Sequence, residues 1–241
     1  MRIQAVLFDA DGVMQKRPRG WRDALGERLG FRGDPGAFLA DVFDAETPAL
    51  TGQSDFPQAL SNLLARWHCR ATLDEVLHTW TMIEVDSESM ETIRALRRCG
   101  VRCHLASNQE RYKARYMSDV LGYGRLFDTE FYSCHMGLKK PSGAYFRAIV
   151  SAIALPPNQL LFVDDLSVNV DAAREVGLHA VTFHLETGAG GAQPYTGSIR
   201  PALRLRGMFS ATALRVMRAR QPCDCEVAGS RATACRSVLT F

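Results

Sequence analysis

Two pairs of aspartates stand out: Asp9 and Asp11, one residue apart, and the adjacent Asp164 and Asp165. If a fold brings them into one crevice, four carboxylates cannot all ionise at close range without a counter-ion. A hard divalent cation with oxygen ligands resolves the conflict. Mg²⁺ fits best, because it commonly takes one or two carboxylates and fills its other positions with water and substrate phosphate. Gly12, directly after the first pair, permits the close backbone approach that such a site needs. Lys140 and Ser107 then supply a cation and a hydroxyl donor for an oxygen-rich anion. Together these residues describe a phosphate site.

Taken singly, each signal is ordinary. Asp-x-Asp is turn chemistry, Asp-Asp and the Ser107–Asn108 pair are helix caps, and Lys-Pro is a solvated turn. What binds them together is the set of elements that must position them. Residues 3–8 (IQAVLF) read as a short apolar strand running into DADGV. Residues 101–105, 131–134, 160–163 and 180–183 read as further strands. Helices are expected over 90–98, 110–121, 141–153 and 168–176, the first ended by Gly100 and the last by Gly177. Strands alternating with helices imply a doubly wound parallel α/β sheet, whose ligand site lies at the carboxyl ends of its strands. Asp9 and Asp11 follow the first strand, Ser107 and Asn108 the second, and Asp164 and Asp165 the fourth. Lys140 opens the helix after the third. That shared location, in order along the chain, argues for a site.

These motifs resemble those of the haloacid dehalogenase superfamily of phosphohydrolases. VLFDADGV matches its first motif, CHLASN its second, GLKKPSGAYF its third, and LLFVDDLSVNVDAAREVGLHAVTF its acidic fourth, over about residues 3–184. The resemblance implies a Rossmann-like core from residues 1–15 and 89–187. Residues 16–88, helical in pattern, correspond to an inserted cap. It further implies that Asp9 attacks phosphorus and forms an aspartyl-phosphate, while Asp11 acts as general acid and base. Mg²⁺ would be held by the Asp9 side chain, the Asp11 backbone carbonyl and Asp165, with Asp164 acting from behind. Ser107, Asn108 and Lys140 would contact the phosphate, with Lys140 preferred over Lys139 because it directly precedes Pro141. The expected substrate is a small phosphorylated metabolite. Ala10 departs from the pattern, which usually has a larger apolar residue there.

Composition fits a soluble globular protein. Of 241 residues, 46% are hydrophobic and 23% charged, as in an ordinary globular protein. No apolar run suggests a membrane span and the N-terminus has no secretory pattern, so a cytoplasmic location is expected. Seven scattered cysteines without metal spacing read as free thiols. The net charge of +3 is uneven: residues 188–241 carry eight arginines against Asp224 and Glu226. This tail lies outside the resemblance and is expected to be a loosely packed extension. A polyanion-binding role for it is the non-enzymatic rival, with nucleic acid not favoured for want of a motif. A dehalogenase and a phosphomutase are rivals within the superfamily. The first has no use for Asp11, and the second needs a cap that retains its product. Lys16, Arg17, Arg19 and Arg22 read as a solvated face, or else as recognition of a second anionic group. Nothing specifies an oligomeric state.

Overall fold

Ala5–Phe8 carries no polar side chain, and every residue of it is buried. In the computed structural model, which describes residues 3–30 and 34–185, this segment is β1. It is followed by β2 (Gln15–Lys16), α1 (Trp21–Leu29), α2 (Pro35–Ala49), α3 (Phe56–Arg66), α4 (Leu73–Trp80) and β3 (Glu84–Val85). Then come α5 (Ser87–Arg98), β4 (Arg102–Ser107), α6 (Arg111–Asp119), α7 (Tyr123–Leu126) and β5 (Thr129–Tyr132). The remaining elements are α8 (Ser133–Met136), α9 (Gly143–Ile153), β6 (Leu160–Asp164), α10 (Ser167–Glu175) and β7 (His179–Thr182).

Five strands form one parallel sheet in the order β5-β4-β1-β6-β7. The chain therefore winds outward from β1 in both directions, as a doubly wound α/β fold does. Being covered on both faces, β1 and β6 hold continuous apolar runs rather than alternating ones. Ala5, Leu7, Leu160 and Phe162 share one cluster with Tyr145, Phe146, Ile149 and Ile153 of α9 and Val170 and Ala173 of α10. Asp9 extends the ladder one step beyond β1, its amide donating to the Val163 carbonyl at 2.9 Å. The first carboxylate thus leaves the sheet beside the end of β6.

Helices α1 to α4 bury an apolar core of their own, including Leu25, Leu29, Phe38, Phe56, Leu60, Val76 and Trp80. Local chemistry sets their starts. Asp55 accepts from the Gln58 amide to cap α3, and Thr72 and Glu75 cap α4 reciprocally. The chain enters and leaves this helical segment through the antiparallel pair β2–β3, which periodicity does not foretell because each strand has two residues. The strand expected at residues 131–134 lies at Thr129–Tyr132, because Ser133–Met136 turns into a short helix. Cys103 and Cys134 are buried free thiols, and no helix among the described residues is long and apolar enough to cross a membrane. The arginine-rich segment 188–241 lies outside the described residues.

One core residue gives the fold a pH dependence. His104 on β4 is buried beside Phe131, its ring centroid 5.9 Å away, and neither ring nitrogen has a hydrogen-bond partner among the described residues. Burial pushes its pKa down to about 4, against the pull of Asp128. The unfolded chain therefore takes up the proton first. Stability is fully present above about pH 6.5 and falls as acid is added toward pH 4. Replacing His104 with leucine removes this loss. The stability advantage of His104→Leu over the parent should grow by about 3 kcal/mol between pH 7 and pH 4, measured by urea unfolding. A constant difference across that range would show that His104 does not titrate in the core.

Candidate active site

Asp9 leaves β1 and Asp164 ends β6, so two neighbouring strands deliver buried carboxylates to the same edge of the sheet. Lys140 joins them. Its Nζ lies 2.8 Å from Asp9 Oδ1 and 2.6 Å from Asp164 Oδ2, with only 1% of its side chain exposed. Burial opposes the charge on Lys140, but the two carboxylates hold its pKa above the ordinary value. Burial likewise pushes Asp9 up to about 6; Lys140 pulls against that shift, while Asp164 and Asp11 add to it. One lysine cannot neutralise this group. Carboxylate oxygens of Asp9, Asp164 and Asp165 all lie within 4.8 Å of one another, and Asp165 is also raised, by burial and then by Asp164.

Asp164 and Asp165 differ in what they have left to offer. Asp164 accepts from Lys140, from the Leu166 amide at 2.8 Å and from Asn169 Nδ2 at 3.0 and 3.1 Å, so both of its oxygens are engaged by the protein. Asp165 is only partly buried and faces Gly12. Three hard oxygen donors converging around insufficient positive charge suit a divalent cation such as Mg²⁺.

Asp11 turns away from that trio. Its Oδ1 accepts from Gln15 Nε2 at 2.8 Å, and its Oδ2 accepts from Gln109 Nε2 and Lys113 Nζ, each at 2.8 Å. Tyr123 in turn donates to Gln15 Oε1 at 2.9 Å. Burial opposes ionisation here, but the Lys113 ammonium and the two amides hold Asp11 well below the usual carboxylate range. Gln15, Gln109 and Lys113 carry no motif, and sequence reasoning misses them. A weak signal lies in their spacing, since Gln109 and Lys113 follow Ser107 on the segment that opens α6.

Ser107 ends β4 buried, and its Oγ accepts from Gln109 Nε2 at 3.1 Å. Asn108, expected to contact phosphate, is largely committed elsewhere. Its Nδ2 donates to the Lys140 carbonyl at 3.0 Å and its Oδ1 accepts from the Lys140 amide at 2.9 Å. It fixes the Lys140 backbone, and one N–H remains. The basic stretch is also not uniformly solvated. Lys16 pairs with exposed Glu84 at 3.7 Å, but the Arg17 guanidinium lies between Trp21 and Trp80, 4.8 and 4.7 Å from their centroids, and donates to the Trp80 carbonyl.

Gly12 has a specific reason to be glycine. Its φ is +77°, and a Cβ there would sit 2.3 Å from Asp165 Oδ2. Gly12→Ala must strain the backbone and displace the Asp165 carboxylate. We expect it to raise the Mg²⁺ concentration for half-maximal thermal stabilisation by about tenfold or more. An unchanged Mg²⁺ titration would mean that Asp165 does not hold the ion.

Comparison with known proteins gives a consistent picture. The family described as haloacid dehalogenase-like hydrolase matches residues 3–177. Among curated proteins, an enolase-phosphatase E1 of Erwinia tasmaniensis is 47% identical over 64 residues, 26% of this chain and 25% of that protein. Drimenol cyclase of Aspergillus calidoustus is 29% identical over 134 residues, 53% of this chain and 25% of its own length. The chain thus spans about a quarter of these curated relatives. Among solved structures, a HAD family enzyme of Bacteroides thetaiotaomicron in complex with magnesium and inorganic phosphate aligns with a TM-score of 0.65 at 18% identity, over 78% of this chain and 96% of that one. L-2-haloacid dehalogenase of Xanthobacter autotrophicus, with chloropropionic acid covalently bound, aligns at 0.56 and 18% identity, over 75% and 77%.

Proposed function

As this chain belongs to the haloacid dehalogenase-like hydrolase family, we propose that it hydrolyses a small phosphomonoester with Mg²⁺, through an aspartyl-phosphate on Asp9. The observation that carries this reading is the convergence of Asp9, Asp164 and Asp165 within 4.8 Å. A halide displacement by one aspartate has no need for that acidic trio, nor for Asp11. The enolase-phosphatase relative and the neighbour that binds magnesium and phosphate support the same choice.

The Asp9 carboxylate attacks phosphorus in line, and Lys140, fixed on it at 2.8 Å, holds its direction and draws the phosphoryl group in. Ser107 donates its hydroxyl to a phosphoryl oxygen. Asp9, Asp165 and the Asp11 backbone carbonyl would hold Mg²⁺, with Asp164 behind them; when bound, the ion withdraws charge from the phosphoryl oxygens. Asp11 gives a proton to the leaving oxygen and then takes one from the attacking water. Its three donors favour the ionised form, which the second role requires; the first role uses the proton that the second delivered in the preceding turnover. Residues 16–88 act as the cap that selects the leaving group.

The test is phosphate release from p-nitrophenyl phosphate, whose phenolate leaves with little help from an acid. We expect release with Mg²⁺, loss of at least about 100-fold after EDTA, and recovery when Mg²⁺ is restored. Full activity after exhaustive chelation would refute the metal assignment.

A further inference from the structure

Gln109 lies between the phosphate-holding and proton-moving parts of the site. Its side chain is buried, and its Nε2 sits 2.8 Å from Asp11 Oδ2 and 3.1 Å from Ser107 Oγ. The same nitrogen faces both oxygens, and an amide nitrogen has two protons to donate. Both amide protons are then committed, one to each neighbour. The consequence for Ser107 is directional. Its oxygen accepts from Gln109, and no acceptor among the described residues takes its own proton, which is left to point at an incoming anion.

The backbone holds this amide in place. The Gln109 N–H donates to Ser133 Oγ at 3.0 Å, and its carbonyl accepts from the same hydroxyl at 3.3 Å. The next residue, Glu110, caps α6 by accepting from the Tyr112 and Lys113 amides at 2.6 and 2.7 Å. A side chain pinned at both ends of its peptide unit can orient its neighbours at little entropic cost. Lys113, by contrast, reaches Asp11 and not Ser107.

We propose that Gln109 is a positioning residue: one buried amide aims both the Ser107 hydroxyl at the phosphoryl group and the Asp11 carboxylate at the proton it moves. This rests on the phosphohydrolase reading of Ser107 and Asp11. Gln109→Leu fills the same space without donors, Gln109→Glu keeps the shape with acceptors only, and Lys113→Met takes a cation from Asp11, Glu46 and Glu110 while leaving the Gln109–Ser107 contact in place.

Two readouts separate positioning from packing. The first is thermal stabilisation by trifluoroberyllate with Mg²⁺, a mimic of the phosphoryl group on Asp9 that needs no turnover. The second is kcat with p-nitrophenyl phosphate. For Gln109→Leu we expect kcat to fall at least about tenfold and the trifluoroberyllate Kd to rise about fivefold or more. Lys113→Met should lower kcat but leave that Kd within about twofold, because it does not touch Ser107. If the leucine variant does not fold, the glutamate variant is expected to show both losses. A folded Gln109 variant with wild-type kcat and wild-type trifluoroberyllate affinity, whatever its melting temperature, overturns the proposal. Wild-type protein that neither binds trifluoroberyllate nor releases phosphate would overturn the phosphohydrolase reading as well.

Discussion

Asp9→Asn is expected to lower phosphate release by at least about 10⁴-fold while leaving the protein folded and no less stable than its parent. The amide has nearly the shape of the carboxylate but no nucleophilic oxygen, so the covalent step has no route. Stability should move the other way. The folded protein raises the Asp9 carboxyl from 3.8 to about 6, first through burial. A raised carboxyl pKa means the fold favours the neutral form, so at neutral pH the charge at this position is a cost. Replacing it with a neutral amide removes repulsion from Asp164. The melting temperature without Mg²⁺ should therefore equal or exceed that of the parent. A variant retaining a tenth of the rate would remove Asp9 as nucleophile; a cooperative loss of structure would mean that Asp9 chiefly holds the fold.

Lys140→Met should show the opposite balance, with large losses in both activity and stability. Lys140 is the one cation that pairs with both Asp9 and Asp164 among the described residues, and all three groups are buried. Removing one partner from a buried ionic group leaves uncompensated charge, which costs about 3–5 kcal/mol. Urea unfolding without Mg²⁺ should show a loss of that size. Adding Mg²⁺ should restore part of it, because a cation that binds only the folded state stabilises by mass action. Turnover should fall by about 100-fold or more even with Mg²⁺ saturating, since the fixed charge beside the nucleophile is gone. A loss below about 1 kcal/mol, unaffected by Mg²⁺, would mean that the acidic trio is not held as a charged cluster.

The parts of the site that periodicity delivers are those at strand ends. The runs Ala5–Phe8 and Leu160–Val163 are apolar because both sheet faces are covered, and so the aspartates that follow them are marked as leaving the sheet. Lys140 is marked by Pro141. Residues defined by contacts across the fold are not legible in this way. Lys113 carries no motif, yet it lies buried against Asp11 in the first turn of α6, which Glu110 caps. Gln109 looks like one more polar residue in a loop until Ser133 and Asp11 are placed around it. Arg17 looks solvated until Trp21 and Trp80, far apart along the chain, close over it. Asn108 reads as a phosphate contact because it follows Ser107; its hold on the Lys140 backbone, made across the fold, is not legible there. Strands of two residues, such as Gln15–Lys16, are too short for any periodic signal.

The most direct measurement is to find the covalent intermediate. Wild-type protein turning over p-nitrophenyl phosphate with Mg²⁺ should be quenched in acid within milliseconds, digested, and its peptides weighed. The peptide containing Asp9 is expected to gain the mass of one phosphoryl group. That gain should be absent from Asp9→Asn and should disappear when the substrate is exhausted before quenching. Steady phosphate release with no phosphoryl group on that peptide, or with the group on a residue other than Asp9, would contradict a mechanism that runs through Asp9.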